Sequence, residues 1–198
     1  MTLREGVVGA WPEFLAVTVR VAVGGALLFA GVAKLRGGRE RFLQVVLGYE
    51  LITGVWAGLI GRFLPLAETV VGFGVLIGFI TPINAVLAFG LFLAFALAVT
   101  HSLYRGLFND CGCFGSRTPV QWRLVYRNII LMGLSIVLLG AGSDAASTDA
   151  LLCGSANCLR SASPAVMGTL LLMWLATFSG VALLRWRWPA MMRAKQAE

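Results

Sequence analysis

Charge is scarce in this sequence. Only 13% of its 198 residues are Asp, Glu, Lys or Arg, about half the share of a soluble domain. Against that stand 59% apolar residues and a mean hydropathy of +0.85. This balance excludes a disordered chain, a collagen and an ordinary cytosolic globule, and leaves a polytopic membrane protein. A span uses about 20 residues, so no length remains for a separate soluble domain. Residues 1–198 read as one integral membrane domain, an all-α bundle of about five hydrophobic helices. Acid is scarcer than base: nine Asp and Glu face sixteen Lys and Arg, for a net charge of +7. Basic grooves interleaved with aromatics are absent, so nucleic acid is not the partner, and the excess reads as Lys/Arg-rich loops on one membrane face. Histidine is nearly absent, His101 being the only one. No Met-rich stripe lines a helix either, and both facts weigh against a soft-metal carrier.

The first apolar run, Phe14–Ala33, is long enough to span and reads as a retained helix rather than a cleaved signal. Lys34, Arg36, Arg39 and Arg41 follow, broken by Gly37 and Gly38. Residues 42–80 are apolar but interrupted by Gln44, Glu50, Arg62, Pro65 and Glu68. They predict an interfacial amphipathic helix near 40–56 and then one span ending near Ile80. Thr81-Pro82 is a tight stop and restart, because proline suits the first turn of a helix. Residues 83–103 form the cleanest span. A polar loop over 104–119 precedes Thr118-Pro119, an N-cap with proline at the first helical position, and a helix through Trp122, Arg123 and Arg127 to Gly140. A second polar loop covers 141–163. The last span runs from about Pro164 to Leu184 and ends on an aromatic and basic anchor, Arg185-Trp186-Arg187-Trp188.

Five spans separate the loop charges sharply. Arg4 and Arg160 fall on one side. Thirteen fall on the other: Lys34, Arg36, Arg39, Arg41, Arg62, Arg105, Arg117, Arg123, Arg127, Arg185, Arg187, Arg193 and Lys195. The excess of Lys and Arg marks the cytoplasmic face, which sets the N-terminus outside and the C-terminus inside. Arg20 lies within the first span, about two turns in, where its long stem can snorkel outward.

Four cysteines form two close pairs in polar loops. Asp110-Cys111-Gly112-Cys113-Phe114-Gly115 is the sharper. Two thiols one residue apart can close a small strained disulfide or clamp one soft metal ion. The following helix N-terminus and Arg105, Arg117 and Arg123 favour a thiolate, whereas Asp110 opposes it or relays a proton. Cys113 is nearer the helix and farther from Asp110, so it is the more reactive thiol. Cys153 and Cys158 lie in the outer loop, where disulfides persist. They form either a structural staple or a reducible shuttle. One span separates the pairs, so the charge rule sets them on opposite faces. Ionisable groups inside a membrane are functional candidates. Glu68 can meet a cofactor head group or pair with a basic residue near the inner face. His101 stands at the inner end of the third span and can accept a thiol proton. Gly54/Gly58 and Gly74/Gly78 have the small-residue spacing of close helix packing.

Arg20, Gly31-Val32-Ala33-Lys34-Leu35, Tyr49-Glu50-Leu51, Leu64-Pro65-Leu66-Ala67-Glu68, Gly72, Leu76-Ile77-Gly78, Asp110 to Gly115 and Arg127-Asn128 form one set. Together they resemble the MauE branch of the DoxX-like redox-associated membrane proteins, over roughly residues 15–140. The Cys-Gly-Cys-Phe-Gly segment carries most of that specificity. The resemblance implies a four-helix core, here with an added C-terminal span, in a bacterial plasma membrane. It also implies thiol–disulfide chemistry beside a thioredoxin-like partner, with Cys111 and Cys113 as the family's loop cysteines. The methylamine context of that branch is not carried by these residues, and Cys153 and Cys158 match no motif of it. The expectation is therefore a membrane thiol–disulfide oxidoreductase using Cys111, Cys113, Cys153 and Cys158, supported by Asp110, His101, Glu68 and Arg127. A quinone is a candidate electron carrier. Two other readings stand beside it: a carrier of Hg, Cu or Zn on Cys111 and Cys113, and a non-catalytic scaffold for a periplasmic thioredoxin-like enzyme.

Overall fold

The computed structural model describes residues 3–107 and 120–140, with scattered helical residues between 168 and 183. Every element in it is a helix: α1 (Leu3–Gly37), α2 (Arg39–Gly48), α3 (Gly54–Ile77), α4 (Thr81–Arg105) and α5 (Trp122–Gly140). Four stretches are long and apolar enough to cross a membrane: Phe14–Gly37, Gly54–Ile77, Thr81–Arg105 and Trp122–Gly140. They form the expected four-helix core. The loops with Cys111, Cys113, Cys153 and Cys158, together with Asp110, lie outside the described residues. So does most of the expected span at 164–184.

Each boundary has a local cause. Gly38, at φ 86°, breaks the chain between α1 and α2. α2 buries Phe42 and exposes Arg39, Glu40 and Arg41, the pattern of an interfacial helix. It stops at Gly48, earlier than the expected 56, and α3 starts at Gly54. α3 ends on Gly78 in the left-handed region, with the Phe79 N–H donating back to the Gly74 carbonyl at 2.9 Å. That is the six-to-one bond of a Schellman cap. Pro82 then opens α4, as expected. α4 closes the same way on Gly106, where the Leu107 N–H donates to the Ser102 carbonyl at 3.0 Å.

α1 packs most extensively on α3 and α4 on α5, and contacts of α3 with α4 and α1 with α5 close the ring. The glycines that allow the α1–α3 approach are not the expected pairs. A Cβ at Gly72 would lie 2.5 Å from the Leu28 backbone nitrogen, and one at Gly24 would lie 2.8 Å from the Gly72 carbonyl oxygen. Gly54 and Gly58 meet open space, Gly74 faces the Asn84 side chain, and Gly78 is the left-handed cap. Spacing alone does not say which face of a helix meets its neighbour.

The main apolar core runs from Val19, Val23 and Leu27 across Val75, Phe89 and Phe92 to Met132. A second, smaller cluster holds Val99, Val125 and Ile129. Beyond Leu27 on α1 and before Val71 on α3, buried polar side chains form a layer of their own.

Candidate functional site

Lys34 and Glu68 form that layer's centre. Their side chains are 2% and 0% exposed, and the Lys34 ammonium donates to Glu68 Oε1. Sequence reading counted Lys34 as the first charge of a cytoplasmic loop. Instead α1 continues to Gly37, and Lys34 falls on its buried stripe with Ala16, Arg20, Val23, Leu27 and Ala30. Helical side chains tilt toward the N-terminus. Near the C-terminal end of a span, that tilt aims Lys34 inward rather than out to the interface. Arg20 is on the same stripe and is 4% exposed. It does not snorkel, because its face of α1 is covered by the bundle.

The ammonium also stands over two rings, 4.6 Å from the Phe95 centroid and 5.3 Å from that of Phe42. Such contacts add cation–π attraction, strongest where water is excluded. Glu68 sits on the buried stripe of α3 with Gly61, Pro65, Gly72 and Val75. Gly31 brings α1 close there: a Cβ on it would lie 2.8 Å from the Pro65 carbonyl oxygen. The expected pairing of Glu68 with a basic residue is therefore realised, and the residue is Lys34. Its second oxygen, Oε2, is buried and accepts no hydrogen bond among the described residues.

From α5, Arg127 and Asn128 approach the same place. Both line a small void of about 20 Å³ with Lys34, Phe92 and Phe95. Asn128 is 2% exposed, and its Nδ2 donates no hydrogen bond among the described residues. A void of that size holds about one water molecule, which can serve the Asn128 donor. His101 lies one turn before the end of α4. Its Nε2 is buried and makes no hydrogen bond among the described residues.

A larger cavity of about 270 Å³ opens between α2, α3 and α4. Lys34 and Tyr49 are the polar side chains on its wall, and the rest is apolar, including Phe42, Phe95 and Val99. Burial pushes the Tyr49 pKa up to about 12, so its hydroxyl remains a donor throughout the physiological range. Nearby, Arg105 pairs loosely with Glu50 at 3.7 Å, both well exposed. Such a pair adds little stability, but it ties the end of α4 to the α2–α3 connection.

Of the expected site residues, the structure pairs Glu68 with Lys34, brings Arg127 to the small void beside Lys34, and places His101 on the last turns of α4. Sequence reading passed over Lys34 as a buried partner and gave no role to Asn128. The signal available was the heptad step from Arg20 through Leu27 to Lys34, which puts both cations on the apolar stripe.

Comparison with known proteins agrees with this fold. The family model described as methylamine utilisation protein MauE matches residues 12–141. Methylamine utilization protein MauE of Paracoccus denitrificans is 34% identical over 143 residues, covering 70% of this chain and 76% of that protein. Its counterpart in Paracoccus versutus is 33% identical over 156 residues, covering 73% and 83%. No solved structure matches the chain. The buried Lys34–Glu68 layer lies inside the matched region, and this multi-pass membrane protein belongs to the MauE family.

Proposed function

We propose that this protein is a thiol–disulfide oxidoreductase of the bacterial inner membrane, serving methylamine utilisation. It supports disulfide formation or reduction in extracytoplasmic proteins, with a thioredoxin-like partner. The observation that carries this reading is the Cys111-Gly112-Cys113 sequence in the connection between α4 and α5. Those are two closely packed helices of a MauE-family bundle. Names of the Paracoccus relatives supply the methylamine context that the motif residues alone did not.

Exchange runs through Cys113. Its thiolate attacks a sulfur of the partner's disulfide, the partner's S–S bond breaks, and a mixed disulfide forms. The Cys111 thiolate then attacks Cys113 Sγ and releases the partner as a dithiol. The two electrons the partner gained are those lost in forming the Cys111–Cys113 bond. Run backwards, the same steps give the partner a disulfide, and the relative potentials set the direction. His101, on the last turns of α4, is the candidate proton acceptor, and Asp110 is a candidate relay. Glu68 and Arg127 act from within the bundle. Cys153 and Cys158 face extracytoplasmic proteins.

Cysteine variants test this. Cys113→Ser abolishes exchange. Cys111→Ser traps a mixed disulfide through Cys113, visible on non-reducing gels, because the resolving thiol is gone. An adduct trapped in Cys113→Ser alone reverses the assignment of the two thiols. Wild-type exchange in both variants rules out redox chemistry at this loop.

A further inference from the structure

The cavity between α2, α3 and α4 has a composition that a hydrocarbon slot does not need. Its wall is apolar except for two hydrogen-bond donors, Lys34 and Tyr49. An ammonium has three N–H donors. One goes to Glu68 Oε1, and the charge also stands over Phe42 and Phe95, both on the cavity wall. Leu51 and Ala94, also on the wall, are exposed, so the cavity opens on the flank of the bundle within the length of the spanning helices. An acyl chain entering there would gain nothing from either donor. A phospholipid head group would require a polar mouth. The ligand that matches is flat, lipid-soluble and bears acceptor oxygens at its rim. A volume of about 270 Å³ suits one ring better than a whole drug-sized ligand, whose pockets run to about 300–1,000 Å³.

We propose that this cavity binds the ring of a lipid-soluble quinone, with Lys34 and Tyr49 donating to its carbonyl oxygens. The quinone is the two-electron acceptor for the Cys111/Cys113 dithiol. Two S–H bonds break and one S–S bond forms. Two electrons and two protons pass to the quinone, whose carbonyl oxygens become hydroxyls. The position of the cavity is consistent with this role. Val99 on its wall is six residues before Arg105 at the end of α4, about 9 Å along the helix axis, and the chain leads from there to Cys111. Lys34 favours the reduction electrostatically, because electron density grows on the oxygen it faces. Ring binding is independent of the thiol reading, whereas the acceptor role rests on it.

Titration of a short-chain benzoquinone into the full chain in nanodiscs tests the binding. Saturation at a single class of site is expected. Ala98→Trp, which fills the cavity at a partly exposed wall position outside the ion pair itself, should abolish it. The double variant Lys34→Met/Glu68→Leu should weaken it about tenfold or more, the loss of one charge-assisted hydrogen bond. A variant with all four cysteines changed to serine should bind as wild type. Equal competition by an alkylbenzene without carbonyls makes the cavity a hydrocarbon slot and overturns the proposal, as does unchanged binding in Ala98→Trp. If quinone binds but Cys111 and Cys113 stay reduced in its presence, the acceptor role fails while the binding site stands, and the thiol reading is decided by exchange with a partner alone. If the thiols exchange with a partner and quinone does not bind, the cavity assignment fails alone.

Discussion

Lys34 and Glu68 hold opposite charges where no bulk water separates them. Taking both out of water costs several kcal/mol per ion, and their attraction offsets it only when the pair stays intact. Lys34→Met alone leaves a buried carboxylate without its cation, and should destabilise the protein by about 3–5 kcal/mol. Lys34→Met/Glu68→Leu removes both charges at similar volume and should keep near-wild-type stability. Detergent-induced unfolding followed by circular dichroism separates the two. A double variant as unstable as the single one would show that the layer's stability depends on more than this pair. The comparison bears on function as well. A pair that can be replaced without loss of fold, yet whose loss impairs quinone binding, is present for the ligand and not for the bundle.

At the scale of elements, the α1–α3 contact depends on missing side chains. The first Cβ of any residue at 72 meets the Leu28 backbone nitrogen at 2.5 Å, and backbone cannot swing aside. Gly72→Ala should therefore force the helices apart and cost about 1–3 kcal/mol, the range of overpacked interiors. Gly58→Ala is the matched control. Its Cβ meets nothing within 4 Å, and alanine is the better helix former by about 1 kcal/mol, so it should be neutral or stabilising. Thermal aggregation of the two variants in the same detergent reads the difference, and equal melting would mean that α1 and α3 do not depend on this approach. Separation of α1 from α3 would also pull Lys34 from Glu68, so Gly72→Ala should lose quinone binding along with stability.

At the scale of the whole molecule, Lys and Arg divide unevenly between the two faces of the membrane. Burial of Lys34 and half-burial of Arg127 remove two cations from the loop tally. Eleven remain on the side of Arg36 and Arg105 against two, Arg4 and Arg160, on the other. The bias therefore still predicts that the Cys111/Cys113 loop and the C-terminus are cytoplasmic. A membrane-impermeant maleimide added to intact cells after reduction should then label Cys153 and Cys158 only, and Cys111 and Cys113 should label once the membrane is opened. Without prior reduction, Cys153 and Cys158 should resist labelling, as a disulfide in an oxidising compartment does. Labelling of Cys111 from outside would invert the topology and place the Cys111/Cys113 pair directly before extracytoplasmic partners.

By itself the sequence determined the solvent, the class of fold and most of the helix ends. Scarce charge and long apolar runs leave only spanning helices. Glycines at 38, 78 and 106 and proline at 82 are backbone instructions that act locally, whatever the chain packs against. The two cysteine pairs are read from the sequence alone and lie outside the described residues. Only the tertiary structure decided which polar residues are interior and with whom they pair. Lys34 and Arg36 look alike as neighbours after an apolar run. They lie about 200° apart around a helix that turns 100° per residue, and only one of those directions faces α3. Likewise Gly58 and Gly72 are alike in sequence, and only Gly72 comes where another backbone passes. The cavity between α2, α3 and α4 draws its wall from residues up to 65 positions apart. No spacing rule reaches that far, because the separation is set by how the helices lie on one another.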